Sequence, residues 1–444
     1  MKYKILILDI YPKVNYRISK DLNGGYGTAN DYGDSWFSQL LKLYVKDTIS
    51  FPPLYSVQVC GELIALGHEV DFKNNSQKVN YENYDLILIP SSIVCHETEI
   101  EVIKTLSNNK KLLAIGPFAS VSPENYLKNG AAVLKGEPEN FFHNINLNEF
   151  INNFKIEIIE NNKIIPLDDL NIPGWEIIFK ENIPVMKFLG KGPAINLYAS
   201  KGCPYTCFYY CVYPMQQGRK LRLKNPKKVV EEMIYFYNKL NVNNYIFRDP
   251  VFSIDKKHTI LLCQEILKSG IKFNIAVETH LKNIDNELAD LFLKCGVKLI
   301  YVGIESADEE VKKDAKRWSD ENDAQLKKIN YLERIGIKIK TMYIIGFPEE
   351  NEKKFLKTVD YAIKVNSSYA QFSVFTPYPG TPVYKEYEKK IIVKRFEDFN
   401  QWKLVFEHKN FDAKSVRRLL DFAFQKYYLR FSWFKKMFIN KIFS

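Results

Sequence analysis

A chain of 444 residues exceeds what one ordinary hydrophobic core supports and suits two or three domains. Its 46% hydrophobic and 26% charged content is that of a folded globular protein and excludes a large disordered fraction. The net charge of +11 does not read as a nucleic-acid footprint, because lysines alternate with acids, as in Lys227-Lys228-Val229-Val230-Glu231-Glu232, the pattern of solvated helix faces.

Residues 1–10 carry Lys2, Lys4 and Asp9 rather than the layout of a signal peptide. No later run reaches the roughly 18 apolar residues needed to span a bilayer, so a cytoplasmic protein is expected. Residues 3–10 read as a buried strand. Short apolar runs at 69–72, 84–90, 111–116 and 132–136 alternate with helical patterns such as 57–66, which predicts a parallel, doubly wound sheet. Residues 11–53, punctuated by Gly24-Gly25-Tyr26-Gly27 and Pro52-Pro53, read as a long loop on the edge where such sheets bind ligands. The run lacks the spacing of a dinucleotide fingerprint or a P-loop, and an ordinary surface turn explains it equally well.

Residues 147–192 are polar, hold Pro166, Pro173 and Pro184, and read as a connector. A second alternating series follows, with strands predicted at 194–199, 245–248, 273–278, 299–305, 340–345 and 370–375. Six such units predict a partial barrel. Special residues fall at the carboxyl ends: Cys203 after the first strand, Arg248-Asp249, Glu278, Glu305-Ser306, Gly346-Phe347-Pro348-Glu349 and Pro377-Tyr378-Pro379-Gly380. Active sites of β/α barrels are built at that rim.

Three of the seven cysteines, Cys203, Cys207 and Cys211, lie within nine positions, which points to metal rather than to a disulfide framework. Three thiolates on one loop can wrap one face of an iron–sulfur cubane and leave its fourth iron open. A structural zinc site needs a fourth ligand at finger-like spacing, which His143 and His258 do not provide. Cys60, Cys95, Cys263 and Cys295 fall in or beside elements and read as small buried thiols.

The segment Gly202-Cys-Pro-Tyr-Thr-Cys-Phe-Tyr-Tyr-Cys-Val-Tyr-Pro214 resembles the signature of the radical S-adenosylmethionine (SAM) family. Phe247-Arg-Asp-Pro-Val-Phe252, Val302-Gly-Ile-Glu-Ser306, Ile345-Gly-Phe-Pro-Glu349 and Thr376-Pro-Tyr-Pro-Gly-Thr-Pro382 resemble its cobalamin-binding branch. One departure stands out: the family spacing is C-x3-C-x2-C, and here Phe208, Tyr209 and Tyr210 make it C-x3-C-x3-C, an extra residue expected to be absorbed as a bulge. The resemblance implies an α/β fold: a doubly wound, Rossmann-like cobalamin-binding domain (1–146), a connector (147–192), a partial (β/α)6 TIM-like radical SAM barrel (193–390) and a helical C-terminal extension (391–444). It further implies a [4Fe-4S] cluster on Cys203, Cys207 and Cys211, with SAM chelating the open iron. Tyr210 would flank adenine, and Asp249, Glu278, Glu305, Ser306 and Gly346 would contact SAM. Each of these acids could equally be an ordinary surface or capping carboxylate.

For the first domain the resemblance implies ligand-side loops at Ser91, Gly116-Pro117, Pro123-Glu124 and Gly136-Glu137-Pro138-Glu139, with Ser91, Gly116 and Glu137 against cobalamin. The D-x-H-x-x-G motif of other cobalamin domains is absent, and His68 sits on a helix-to-strand turn, so no histidine is expected on cobalt; a domain that binds nothing is the alternative. Residues 414–444 mix Arg417, Arg418, Lys426, Arg430, Lys435, Lys436 and Lys441 with Phe422, Phe424, Tyr427, Tyr428, Phe431, Trp433, Phe434 and Phe438. A basic aromatic helix can lie on an anionic membrane, but a helix packed on the barrel is the preferred reading.

The function these features imply is a radical enzyme, foremost a cobalamin-dependent methyltransferase that acts through a 5′-deoxyadenosyl radical. The alternatives are a radical cyclase or rearrangement enzyme and a non-catalytic cluster- and cobalamin-binding sensor. A transfer-RNA methylthiotransferase fits less well, since the first unit has no additional cysteine set. The expected partners are a small-molecule or lipid-linked substrate, a reductant such as flavodoxin or ferredoxin, no nucleic acid, and peripheral membrane contact if the tail is exposed.

Overall fold

The structure is a computed structural model that describes all residues except 15, 47–51, 190, 318–319 and 443–444, and describes no side chain at 46 or 437–442. Phe438 and Lys441 of the tail therefore lie outside the described side chains.

The first sheet is built from β1 (Lys4–Asp9), β2 (Glu69–Asn74), β3 (Leu86–Pro90), β4 (Leu112–Ile115), β5 (Ala132–Lys135) and β6 (Ile158–Glu160). All pairs are parallel, in the order β2-β1-β3-β4-β5-β6. Strands covered on both faces need apolar side chains at every position, and β3 and β4 are buried throughout. The strand order reverses between β1 and β3, where the carboxyl ends open the ligand crevice of such sheets.

Two expectations shift here. Strand β6 falls within 147–192, so the span read as a connector supplies the first sheet's last strand. It also holds the helix Trp175–Lys180, whose Trp175 donates from Nε1 to the Asn196 carbonyl at 3.1 Å. Residues 11–53 are not all loop: they form a short hairpin (Ile18–Ser19 with Thr28–Ala29) and the helix Trp36–Lys46. The local pattern hides that helix because its amino end is held by a distant carboxylate, Asp421, which accepts from the main-chain N–H groups of Asp34 and Ser35.

The second sheet runs in chain order and all parallel: β7 (Ile195–Leu197), β8 (Asn244–Phe247), β9 (Asn274–Glu278), β10 (Val297–Glu305), β11 (Lys338–Ile345) and β12 (Tyr369–Val374). Helices Pro226–Leu240, Lys256–Lys268, Asn286–Cys295, Asn322–Arg334 and Glu352–Val365 connect the strands. Side chains alternate across each strand. Along β11, Ile339, Thr341, Tyr343 and Ile345 are buried, while Lys340, Met342 and Ile344 line the barrel lumen.

No strand pairing joins β12 back to β7 among the described residues, and the N-terminal segment bridges this open side. Asp21 accepts from Asn196 Nδ2 of β7 at 3.0 Å, while Tyr26 donates its hydroxyl to the Pro379 carbonyl at 2.7 Å beyond β12. Thr28 adds a bond to the Asn400 carbonyl at 3.2 Å.

The C-terminal helix Ala413–Tyr428 lies on the barrel, as preferred from the sequence: Tyr427 and Tyr428 donate to the carbonyls of Ser367 and Ala370, both at 2.6 Å. The next helix, Phe431–Ile442, stays attached through Trp433 Nε1, which donates to the Ser368 carbonyl at 3.0 Å. Among the described residues no helix is long and apolar enough to cross a membrane.

Candidate active site

After β7 the chain turns into a loop closed by an antiparallel pair, Ser200–Lys201 with Arg222–Leu223. Cys203, Cys207 and Cys211 on that loop line one cavity of about 170 Å³ at the barrel mouth. The extra residue is not a bulge. Tyr210 and Cys211 both donate their N–H to the Cys207 carbonyl at 3.1 Å, so the insertion completes a helical turn that returns Cys211 to the side of Cys207.

Among the described residues no three His, Cys, Asp or Glu side chains converge on one ion position. Spaced thiols lining one cavity suit a polynuclear cluster, in which each iron takes one thiolate. Burial pushes the Cys203 and Cys207 thiols up and the Cys211 thiol well up, so they stay protonated until a cation draws the proton off. Arg317 stands beside them, with Nη1 at 3.8 Å from Cys207 Sγ.

Tyr210, Glu278 and Glu305 line the same cavity. Tyr210 packs edge-on against Phe347, with ring centroids 5.7 Å apart. Glu278 accepts from the Tyr213 hydroxyl at 2.9 Å, and burial raises its carboxyl. Glu305 ends β10 in the left-handed region at φ 67°, a conformation that a non-glycine residue holds only when its surroundings impose it. Its carboxylate lies 3.6 Å from Arg317 Nη2, which also donates to the Gly303 carbonyl at 2.8 Å. A Cβ on Gly303 would stand 2.5 Å from Glu305 Oε1 and 3.0 Å from Arg317 Nη2, so glycine at this position is what lets the pair meet.

Three expected SAM contacts are placed elsewhere. Asp249 turns back to accept from Ala199 N at 3.0 Å and Ser200 Oγ at 2.6 Å, and burial raises its carboxyl to about 7. Ser306 is fully buried and accepts from Asp308 N at 3.1 Å. Gly346 donates its N–H to Glu350 Oε2 at 2.7 Å. None of the three lines the cavity: the strand-end turns direct them to neighbouring main chain instead.

The sequence reading missed Arg317, Tyr213, Asn23 and Gln401, which do line it. Arg317 follows Lys316 in a polar stretch and looks like a solvated charge. Asn23 sits in the glycine-rich run, whose position beyond the first strand was the available signal. Gly24 explains its approach: φ is +57°, and a Cβ would meet the Val212–Tyr213 main chain at 2.9 Å, just after Cys211.

At the first sheet's carboxyl edge, the expected cobalamin contacts are engaged with the protein itself. Ser91 Oγ accepts from Ala119 N at 2.9 Å, a Cβ on Gly116 would stand 2.3 Å from the Tyr55 hydroxyl, and Glu137 pairs with Lys201 at 2.7 Å and with Arg222. Lys20 occupies the crevice between β1 and β3, bonded to the Pro90 carbonyl at 2.7 Å and paired with Asp9 at 3.1 Å and Glu99 at 2.8 Å. The edge keeps spare hydrogen-bonding groups, namely Ser19 Oγ, Ser92 Oγ and Asn140 Nδ2, of the kind that a polar, amide-bearing ligand engages.

Residues 197–362 match the Radical SAM superfamily, a span that runs from β7 to the helix after β11 and encloses the three cysteines. The barrel is a radical SAM domain. Such a domain works with a [4Fe-4S] cluster, SAM and a source of electrons. The chain is 24% identical over 368 residues to an uncharacterised methyltransferase of Pyrococcus horikoshii, covering 78% of each protein. It is 22% identical over 340 residues to the bacteriochlorophyllide d C-12(1)-methyltransferase of Chlorobaculum tepidum, covering 76% of this chain and 73% of that enzyme. Among solved structures it resembles the cobalamin-dependent SAM radical enzyme OxsB with aqua-cobalamin and SAM bound, at TM-score 0.65 and 11% identity, over 95% of this chain and 66% of that one. At that identity the likeness is one of fold, and it extends through both sheets.

Proposed function

We propose that this chain is a radical SAM enzyme that methylates an unactivated centre of a small-molecule or lipid-linked substrate, with cobalamin as the methyl carrier. The observation that carries this reading is the convergence of Cys203, Cys207 and Cys211 with Tyr210, Glu278, Glu305 and Arg317 around one cavity inside the barrel. Methyl transfer is supported by the names of the two relatives, and cobalamin by the likeness to OxsB.

Cys203, Cys207 and Cys211 would hold the cluster. The cluster and SAM, when bound, supply a 5′-deoxyadenosyl radical. Tyr210 offers an aromatic face for adenine. Glu305 and Arg317, held together over Gly303, would present a carboxylate and a guanidinium to the amino and carboxyl groups of the methionine end. The buried walls would exclude water from the radical and orient the substrate beside it. Cobalamin would supply the methyl group from the first sheet's edge, near Ser91, Gly116 and Glu137.

The reading places the enzyme in the cytoplasm, with flavodoxin or ferredoxin as reductant. Exposed Trp36, Leu43, Tyr44 and Phe431 support peripheral contact with an anionic membrane beside the tail. The test is anaerobic reconstitution with iron and sulfide, then reduction with SAM present. Formation of 5′-deoxyadenosine that is lost in Cys203→Ala is expected, and a colourless protein carrying stoichiometric zinc overturns the reading. A corrinoid spectrum on the protein after incubation with hydroxocobalamin decides the role of the first domain.

A further inference from the structure

Next to the cluster cavity, and sharing Asn23, Tyr213, Glu278, Met342 and Gln401 with it, the barrel lumen holds a second cavity of about 160 Å³. Two cations line it without an ion pair among the described residues: Arg17, carried in by the N-terminal segment, and Lys340, placed in the lumen by the alternation of β11. Arg17 is 5% exposed; its Nη2 bonds Asn30 Oδ1 at 3.1 Å, and its Nε has no partner. The Lys340 ammonium lies 5.6 Å from the centre of the Tyr301 ring. The other charged groups facing the cavity are already engaged, Arg248 with Asp21 and Glu278 with Tyr213.

Burial disfavours both cations, lowering Arg17 from its usual range and Lys340 to about 7. Such charges are costly unless an anion compensates them, and an unpartnered guanidinium N–H adds the cost of a lost hydrogen bond. A guanidinium and an ammonium facing one small cavity match the geometry of an oxyanion, and Gln371 and Gln401 can bond what remains of its polar group.

We propose that Arg17 and Lys340 form an anion subsite for the substrate, which therefore carries a carboxylate or phosphate held in the lumen with its reacting carbon toward the cluster cavity. This names the substrate class for the radical SAM reading and rests on that reading only in assigning the anion to the substrate.

The test is calorimetric titration of the reconstituted, SAM-loaded protein with acetate and with inorganic phosphate, against acetamide and chloride at matched ionic strength. One of the two oxyanions binds saturably, and which one distinguishes a carboxylate from a phosphate. Lys340→Met and Arg17→Gln each weaken it by about tenfold or more, while Lys340→Arg retains it. Absence of saturable binding in the wild type, unchanged affinity in both charge-removing variants, or equal binding of acetamide overturns the proposal. If a variant fails to fold, the wild-type titration still decides. Cluster absorbance and 5′-deoxyadenosine formation in the same samples report separately on the radical SAM reading, so the two can fail independently.

Discussion

Asp21 and Arg248 join the two halves of the molecule: Arg248 donates from Nε to Asp21 Oδ2 at 2.8 Å and from Nη2 to the Asp21 carbonyl at 3.0 Å, with both side chains buried. One residue belongs to the N-terminal segment and the other to the end of β8, so the pair fixes the segment against the barrel's open side. Removing one partner of a buried pair leaves the other charge uncompensated, at a cost of about 3–5 kcal/mol. Asp21→Ala is therefore expected to lower the thermal midpoint of the protein strongly, and Asp21→Asn, which keeps an acceptor for Arg248, to lower it less. Calorimetry of the two variants side by side checks this ordering.

Gly24→Ala pushes a methyl group into the main chain that follows Cys211 and forces a non-glycine residue to φ +57°. The strain falls on the cysteine loop, so the variant is expected to take up less iron and sulfide per chain than the wild type while its far-UV spectrum is unchanged. Equal iron content in both proteins would show that the segment does not brace the loop.

Gly303→Ala drives a Cβ between Glu305 and Arg317, and Arg317→Gln removes the cation. Misplacement by about an ångström costs orders of magnitude in rate, and loss of a charged contact costs binding. Both variants are expected to raise the KM for SAM in the 5′-deoxyadenosine assay by about tenfold or more. A change in kcat alone would place the pair on another step.

Two buried groups give opposite pH dependences. Asp249 holds its proton in the fold up to about 7, whereas the unfolded chain loses it near 3.8, so its contribution is present below the unfolded value and is lost as pH rises through about 7. Lys340 releases its proton in the fold at about 7 and in the unfolded chain at 10.5, so stability rises with pH across that interval. Asp249→Asn is expected to flatten the thermal midpoint between about pH 4 and 7, and Lys340→Met to flatten it above about 7. Melting curves over that range measure both slopes.

Trp36, on helix Trp36–Lys46, and Phe431, on the tail helix Phe431–Ile442, expose 63% and 82% of their surface. Pelleting with anionic vesicles is expected to fall in a Trp36→Ser/Phe431→Ser variant, with 5′-deoxyadenosine formation retained. Pelleting that equals the wild type removes membrane contact from the proposal.

Much of the architecture was readable in the chain. The six barrel strands were found because a fully or half-buried strand needs a run of apolar side chains, and the strand-end rule pointed to Glu278 and Glu305, which line the cavity. The same rule does not decide whether a rim group turns into the cavity or back onto neighbouring main chain, as Asp249, Ser306 and Gly346 do. The extra residue between Cys207 and Cys211 was visible, but its accommodation as a helical turn depended on hydrogen bonds to the Cys207 carbonyl.

By itself the sequence determined the two alternating α/β units and the clustered thiols, because strand periodicity and ligand spacing are properties of near neighbours. Only the tertiary structure decided that residues 21–28 bridge the barrel's open side, that Arg317 joins Glu305, and that Arg17 and Lys340 face one cavity. Those relations join distant positions, as in the 227-residue separation of Asp21 and Arg248, and local propensity does not encode them. They are selected by the need of each buried charge for a partner, which is met only once the two sheets are packed together.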